Sequence, residues 1–185
     1  MLEKIHQDAR ERMEKCIEKL SADLRTVRTG KATPALLDAV RVDYYGSSVP
    51  LSQIASISAP QPRLLVIQPW DKAATDPIVK GIQVANLGLN PAPEGDLIRV
   101  PIPTLTEERR HELVKRCRQM GEETRVAMRN VRRDANEELA KAEKAKEIAE
   151  DDLHRGHKET QKIIDELSEK VDQLLAAKEK EILEG

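Results

Sequence analysis

Apolar residues recur at spacings of three and four along Leu2, Ile5, Ala9, Met13, Cys16, Leu20, Leu24 and Val27. That rhythm predicts one helix with a single apolar stripe. It returns at Leu113, Cys117, Met120, Thr124, Ala127, Val131, Ala135, Leu139 and Ala142, and again at Leu153, Thr160, Ile164, Leu167, Val171 and Leu174. No Gly or Pro separates the second and third runs. A break is nevertheless expected near Ile148, because Lys141, Lys144 and Lys146 suit a helix C-terminus and Glu150, Asp151 and Asp152 suit a new N-terminus. One unbroken helix from 105 to 183 would be roughly 120 Å long at 1.5 Å per residue and would leave most of its stripe uncovered. Folding back lets three stripes bury one another, so a three-helix bundle is predicted.

Between 31 and 104 the pattern changes. Ala39–Tyr45 reads as a strand ended by Gly46-Ser47-Ser48, Ile54–Ser58 alternates, and Arg63–Gln68 is rich in β-branched and other apolar residues. Thr75-Asp76-Pro77 starts a helix that runs through Ile78 to Asn86, and Ile98–Ile102 is a last short strand. All ten prolines lie between Pro34 and Pro103, with all three aromatics (Tyr44, Tyr45, Trp70), whereas 1–29 and 104–185 hold no proline. The prediction is an α+β chain of two domains. A discontinuous three-helix bundle (1–30 and 105–185) is opened once to admit a small β/α/β domain (31–104). The backbone crosses between them twice, at Thr29-Gly30-Lys31 and at Pro103-Thr104-Leu105, and such a double connection is expected to act as a hinge. Gly30 reads as a helix C-terminal glycine with Pro34 shortly after. Thr104-x-x-Glu107 is expected to cap the second helix.

Composition changes the picture in two respects. The chain is 39% hydrophobic and 35% charged and has no Phe, so the bundle core must be aliphatic. No apolar run reaches membrane-span length, and the mixed-charge N-terminus is not a signal peptide, so a cytoplasmic protein with free thiols at Cys16 and Cys117 is expected. The net charge of −2 hides a segregation of charge. Residues 105–133 hold nine Lys/Arg against five Asp/Glu, while 134–185 hold nine against sixteen. Segregated charge points to partners more directly than the total does.

At 100° per residue, Arg118, Arg125, Arg129 and Arg132 fall within a 60° stripe about 21 Å long, away from the apolar face. Arginine forks suit phosphate oxygens, so the stripe can contact a nucleic-acid backbone. It can equally be a solvated face with local ion pairs. Glu122 is placed to pair with Arg118 or Arg125, while Arg129 and Arg132 have fewer evident neighbours. The segment Arg28-Thr-Gly-Lys-Ala-Thr33 lacks the first glycine of a phosphate-binding loop. His154 and His157 lack further metal ligands, His6 and His111 lack a nucleophile or clustered carboxylates, and no nucleophile elbow or dinucleotide fingerprint occurs. No enzymatic activity, metal or cofactor is expected. An adaptor that binds an acidic protein surface is the alternative that charge alone leaves open.

Val27-Arg-Thr-Gly-Lys-Ala-Thr-Pro-Ala-Leu-Leu37, Val42-Asp-Tyr-Tyr-Gly46, Asp71, Leu87-Gly-Leu-Asn-Pro91, Ile98-Arg-Val-Pro101, Leu105-Thr-Glu-Glu-Arg-Arg110 and Arg129-Asn-Val-Arg-Arg-Asp-Ala-Asn136 together resemble the bacterial ribosome-recycling factor family from end to end. The resemblance implies an L-shaped monomer that binds the large subunit of the post-termination ribosome. It implies that, with elongation factor G and its GTP hydrolysis, the chain splits the subunits and lets messenger and deacylated transfer RNA leave. It carries ribosomal-RNA contacts onto Arg28, Gly30, Lys31, Arg129 and Arg132, and the stripe adds Arg118 and Arg125. The residues of the small domain that meet elongation factor G are not specified by it.

Overall fold

A computed structural model describes residues 1–184. In chain order it contains α1 (Leu2–Arg25), β1 (Arg41–Tyr44), β2 (Ser47–Pro50), β3 (Ala55–Gln61), β4 (Leu64–Pro69), α2 (Thr75–Val84), β5 (Ala92–Glu94), β6 (Leu97–Pro101), α3 (Glu107–Lys144) and α4 (Glu150–Glu184), with three short 3₁₀ turns. The fold is α+β, three long helices and a small β-sheet unit. The chain divides into two compact units, one of Met1–Val27 and His111–Glu181, the other of Arg28–Arg110 with the residues from Ile182.

In the first unit the three stripes bury one another. Ala9, Met13, Leu20 and Leu24 of α1, Leu113, Cys117, Met128, Val131 and Leu139 of α3, and Ile163, Ile164, Leu167 and Val171 of α4 are all buried. The register is fixed by contacts at the seams. His6 Nε2 meets the Gly156 carbonyl at 3.0 Å, and Arg10 donates to both oxygens of Glu166, so α1 and α4 run in the same direction. Arg12 bonds Asp134 at 2.8 Å across the α1/α3 seam. Two glycines let α3 and α4 approach. A Cβ at Gly121 would collide with Leu175, and one at Gly156 would meet both methyls of Leu139 at 3.0 Å. Buried Thr160 and Thr124 satisfy their hydroxyls by donating to the carbonyls of Gly156 and Met120.

The α3/α4 turn needs neither Gly nor Pro. Lys146 takes φ +60°, Glu147 N–H bonds the Ala142 carbonyl and Lys146 N–H the Glu143 carbonyl, which is a Schellman termination. Asp152 then accepts from Ala149 N–H, and Leu153 N–H donates to the Ala149 carbonyl, opening α4. The expected break falls inside this link.

Four details differ from the expectations above. Helix α1 ends at Arg25 rather than running to Gly30, which lies in the following loop at φ +79°. Thr106, not Thr104, caps α3 by accepting from Arg109 N–H at 3.1 Å; Thr104 accepts from Arg63 instead. On α4 the stripe passes through buried Leu175, and Leu174 is only half-buried. The heptad count drifts against the true helical period over so long a helix, which moves the buried position by one.

The fourth difference is in the β unit. Strands β1 and β2 form a hairpin and β3-β4-β6-β5 form a second, wholly antiparallel sheet. Strands β2 and β5 carry no β-prone pattern and are held by pairing alone. Tyr45 (φ +50°) and Gly46 (φ +79°) make the two-residue turn between β1 and β2, with the backbone twist that tight hairpins favour. Pro60 and Pro93 lie in the two edge strands of the larger sheet, where a missing N–H is tolerated. Leu65, Ile67, Ile98 and Val100 of the central strands join Ile78 and Ile82 of α2 and Val40 and Val42 in one core. Gly81 lets α2 close on β1, since a Cβ there would lie 2.7 Å from the Arg41 carbonyl oxygen.

Candidate nucleic-acid interface

The arginine stripe runs along the flank of α3 that faces α4. Arg118 donates to Glu179 of α4 through Nε at 2.8 Å and Nη2 at 3.4 Å. Arg125 bonds Asp172 of α4 and lies 3.8 Å from Glu122. Each step of seven residues along α3 is matched by a step of seven back along α4, as antiparallel packing requires. Arg129 bonds Glu122 at 3.1 Å. Glu122 therefore serves Arg125 and Arg129, whereas Arg118 is taken by Glu179; Arg129, expected to have fewer neighbours, does have this one. The acidic segment that follows Asp134 supplies α4, so the opposite charges segregated along the chain meet across the α3/α4 seam.

Arg132 differs. Its Nη1 donates to the amide oxygen of Gln161 at 3.1 Å, and among the described residues that neutral group is its hydrogen-bond partner. Arg133, beside it, is exposed. The magnitudes separate these residues. An exposed ion pair is worth about 0–1 kcal/mol, so exchanging one for a phosphate is cheap but not free. A charge-assisted hydrogen bond is worth about 1.5–3 kcal/mol, and Arg132 can make one without giving up a carboxylate.

Arg28, Gly30 and Lys31 belong to the second unit. Arg28 is half-buried, with Nη1 beside the Leu87-Gly88 turn, where a Cβ on Gly88 would approach it to 3.8 Å. Thr29 and Gly30 are buried and Lys31 is exposed. Pro103, Thr104 and Leu105, expected as the second crossing, also lie inside the second unit, the first two exposed and Leu105 half-buried.

A feature to which the sequence assigned no role lies in the second unit. Asp71 Oδ2 accepts from Tyr44 at 2.9 Å and from Tyr45 at 3.3 Å, and Oδ1 accepts from Ala73 N–H at 3.0 Å. The Ala73 and Tyr44 hydrogen bonds hold the Asp71 carboxyl below its ordinary range. The bond to Asp71 pushes the Tyr44 phenol up to about 12. This clasp ties the hairpin to the start of the α2 segment. Cys117 is buried, which raises its thiol, and Cys16 is half-buried; both are free. Among the described residues no cluster of His, Cys, Asp and Glu could hold a metal ion, and no helix is long and apolar enough to cross a membrane.

The protein is of the class that combines long helices with one small antiparallel β unit. A family model described as ribosome recycling factor matches residues 20–183. The ribosome-recycling factors of Natranaerobius thermophilus and Carboxydothermus hydrogenoformans are 51% and 52% identical, covering 98% and 99% of both chains. A solution structure of a ribosome recycling factor matches 100% of this chain and 98% of its own at 41% identity, with a TM-score of 0.77. A second match is the T. thermophilus ribosome recycling factor bound, with the E. coli elongation factor G, to the E. coli post-termination complex, at 48% identity over 99% of each chain and a TM-score of 0.66. The chain belongs to the ribosome recycling factor family.

Proposed function

We propose that this chain recycles ribosomes after termination. It binds the large subunit as a monomer and, with elongation factor G and GTP hydrolysis on that partner, promotes subunit dissociation and release of messenger and deacylated transfer RNA in the cytoplasm. The chain itself makes and breaks no bond. In this reading Arg28, Gly30, Lys31, Arg129 and Arg132 contact ribosomal RNA, with Arg118 and Arg125 extending the surface. Residues 29–31 and 103–105 let the small domain move when the translocase acts on it.

The observation that carries the reading is the guanidinium row on α3, ending at an Arg132 that among the described residues makes no ion pair with a carboxylate. A row of guanidinium groups can contact a phosphate backbone, and such binding must weaken with salt. The T. thermophilus relative seated with elongation factor G on a post-termination complex supports the partner assignment. The test is cosedimentation with vacant ribosomes and separated subunits over a range of salt. Arg132→Ala should weaken large-subunit binding by about 1.5–3 kcal/mol at unchanged helicity. Equal binding by the variant, or binding indifferent to salt, would remove the RNA surface and favour a protein-binding adaptor.

A further inference from the structure

The α3/α4 flank contains a break in an otherwise regular pattern. Arg118 pairs with Glu179 and Arg125 with Asp172. By the same register, the next step of seven on each helix would pair Arg132 with Asp165, and that ion pair is not made. Gln161, one turn before Asp165 on α4, bridges the two instead: its amide oxygen accepts from Arg132 at 3.1 Å and its amide nitrogen donates to Asp165 Oδ1 at 2.8 Å.

We infer that Gln161 is a positioning residue that withholds Arg132 from Asp165 and so keeps its full charge available to a phosphate. The inference rests on the phosphate-contact reading of Arg132 given above. An amide suits the task because it satisfies both ionic neighbours at once, offering an acceptor to the guanidinium and a donor to the carboxylate. It carries no charge, so neither ion is cancelled. Arg132 spends one of its five N–H donors on Gln161, and the remaining edge of the planar fork can still engage a phosphate. Asp165 in turn has one oxygen occupied by a donor that holds it on its own helix. The three other arginines of the row must each give up a carboxylate before they bind; Arg132 need give up only a neutral bond.

The test is a double-mutant cycle read by binding of the full chain to vacant large subunits. Gln161→Glu places a second carboxylate against Arg132. It should weaken binding by about ten- to a hundredfold, the range expected for Arg132→Ala, and lower the salt slope by about one unit. In the Arg132→Ala background the same Gln161→Glu change should alter binding by less than about twofold. Gln161→Ala removes the spacer without adding charge, lets Arg132 close on Asp165, and should also weaken binding; adding Asp165→Asn should restore it. If Gln161→Glu weakens binding equally in both backgrounds, its effect is general repulsion from RNA and the positioning role is overturned, while the RNA surface stands. If Arg132→Ala has no effect, the RNA reading itself has failed and the inference fails with it. Circular dichroism on each variant checks that α3 and α4 are intact, as expected for exposed Gln161 and Asp165 and half-buried Arg132.

Discussion

The Asp71 clasp shows how one carboxylate organises a turn that its backbone resists. Tyr45 holds φ +50°, where a side chain bearing Cβ is disfavoured. Its hydroxyl and that of Tyr44 converge on one oxygen of Asp71, and the Ala73 amide holds the other. The phenol of Tyr44 must stay protonated to donate, so its folded pKa of about 12 lies above the ordinary value near 10. The linkage sign follows. The Tyr44 share of the clasp's stabilisation is fully present below pH ~10 and is lost as pH rises toward about 12. Asp71 is shifted downward, so its share is present above the usual carboxylate pKa and is lost in acid. Absorbance titration near 295 nm should therefore contain a tyrosine component at about 12, and Asp71→Asn should move it down. A wild-type curve without that component would exclude the hydrogen bond. Sequence alone placed Asp71 in a family block and gave it no task, because the partners lie 26 and 27 residues away in the chain.

At the scale of elements, the bundle was legible because each long helix repeats its apolar position many times, and errors of one residue do not erase a stripe. The errors concentrate where repetition ends. The cap shifted from Thr104 to Thr106, and the stripe slipped from Leu175 to Leu174. In the small unit β1, β3, β4, β6 and α2 were legible from local pattern, and β2 and β5 were not. β4 and β6 carry Leu65, Ile67, Ile98 and Val100, whereas Ser47–Pro50 and Ala92–Glu94 form strands because a neighbour offers hydrogen bonds, which no local pattern records. Of the arginine row, helical periodicity supplied the alignment but not the partners on α4, since those depend on the register between helices. The slip in α4 has a thermodynamic consequence. Leu167 is fully buried, and Leu167→Ala should cost about 2–5 kcal/mol in urea unfolding followed at 222 nm. Leu174→Ala, at a half-buried site, should cost about 1 kcal/mol or less. Equal losses at the two positions would contradict the packing of this face.

For the molecule as a whole, the proposed mechanism separates gripping from moving. The arginine row resides in the helical unit, and the proposed hinge residues 29–31 and 103–105 lie near the ends of the second unit's main segment. Stiffening a crossing should then spare binding and impair splitting. Thr104→Pro would place a second proline directly after Pro103 and favour a stiff, extended segment. Large-subunit binding should change by less than about twofold, while subunit splitting with elongation factor G and GTP slows severalfold. Splitting at the unmodified rate would remove hinge motion from the mechanism. The uneven placement of aromatic residues gives this division an optical form. Tyr44, Tyr45 and Trp70 all lie in the β-sheet unit, and the helical unit is assembled without one. Trp70 is 69% exposed and emits from a solvent-facing site, so its fluorescence reports on the small unit alone. Far-ultraviolet ellipticity is dominated by the three long helices and reports on the other. The chain thus carries a separate built-in colour channel for each unit, and comparing the two during one melt reads whether they unfold together or in turn, with no label attached.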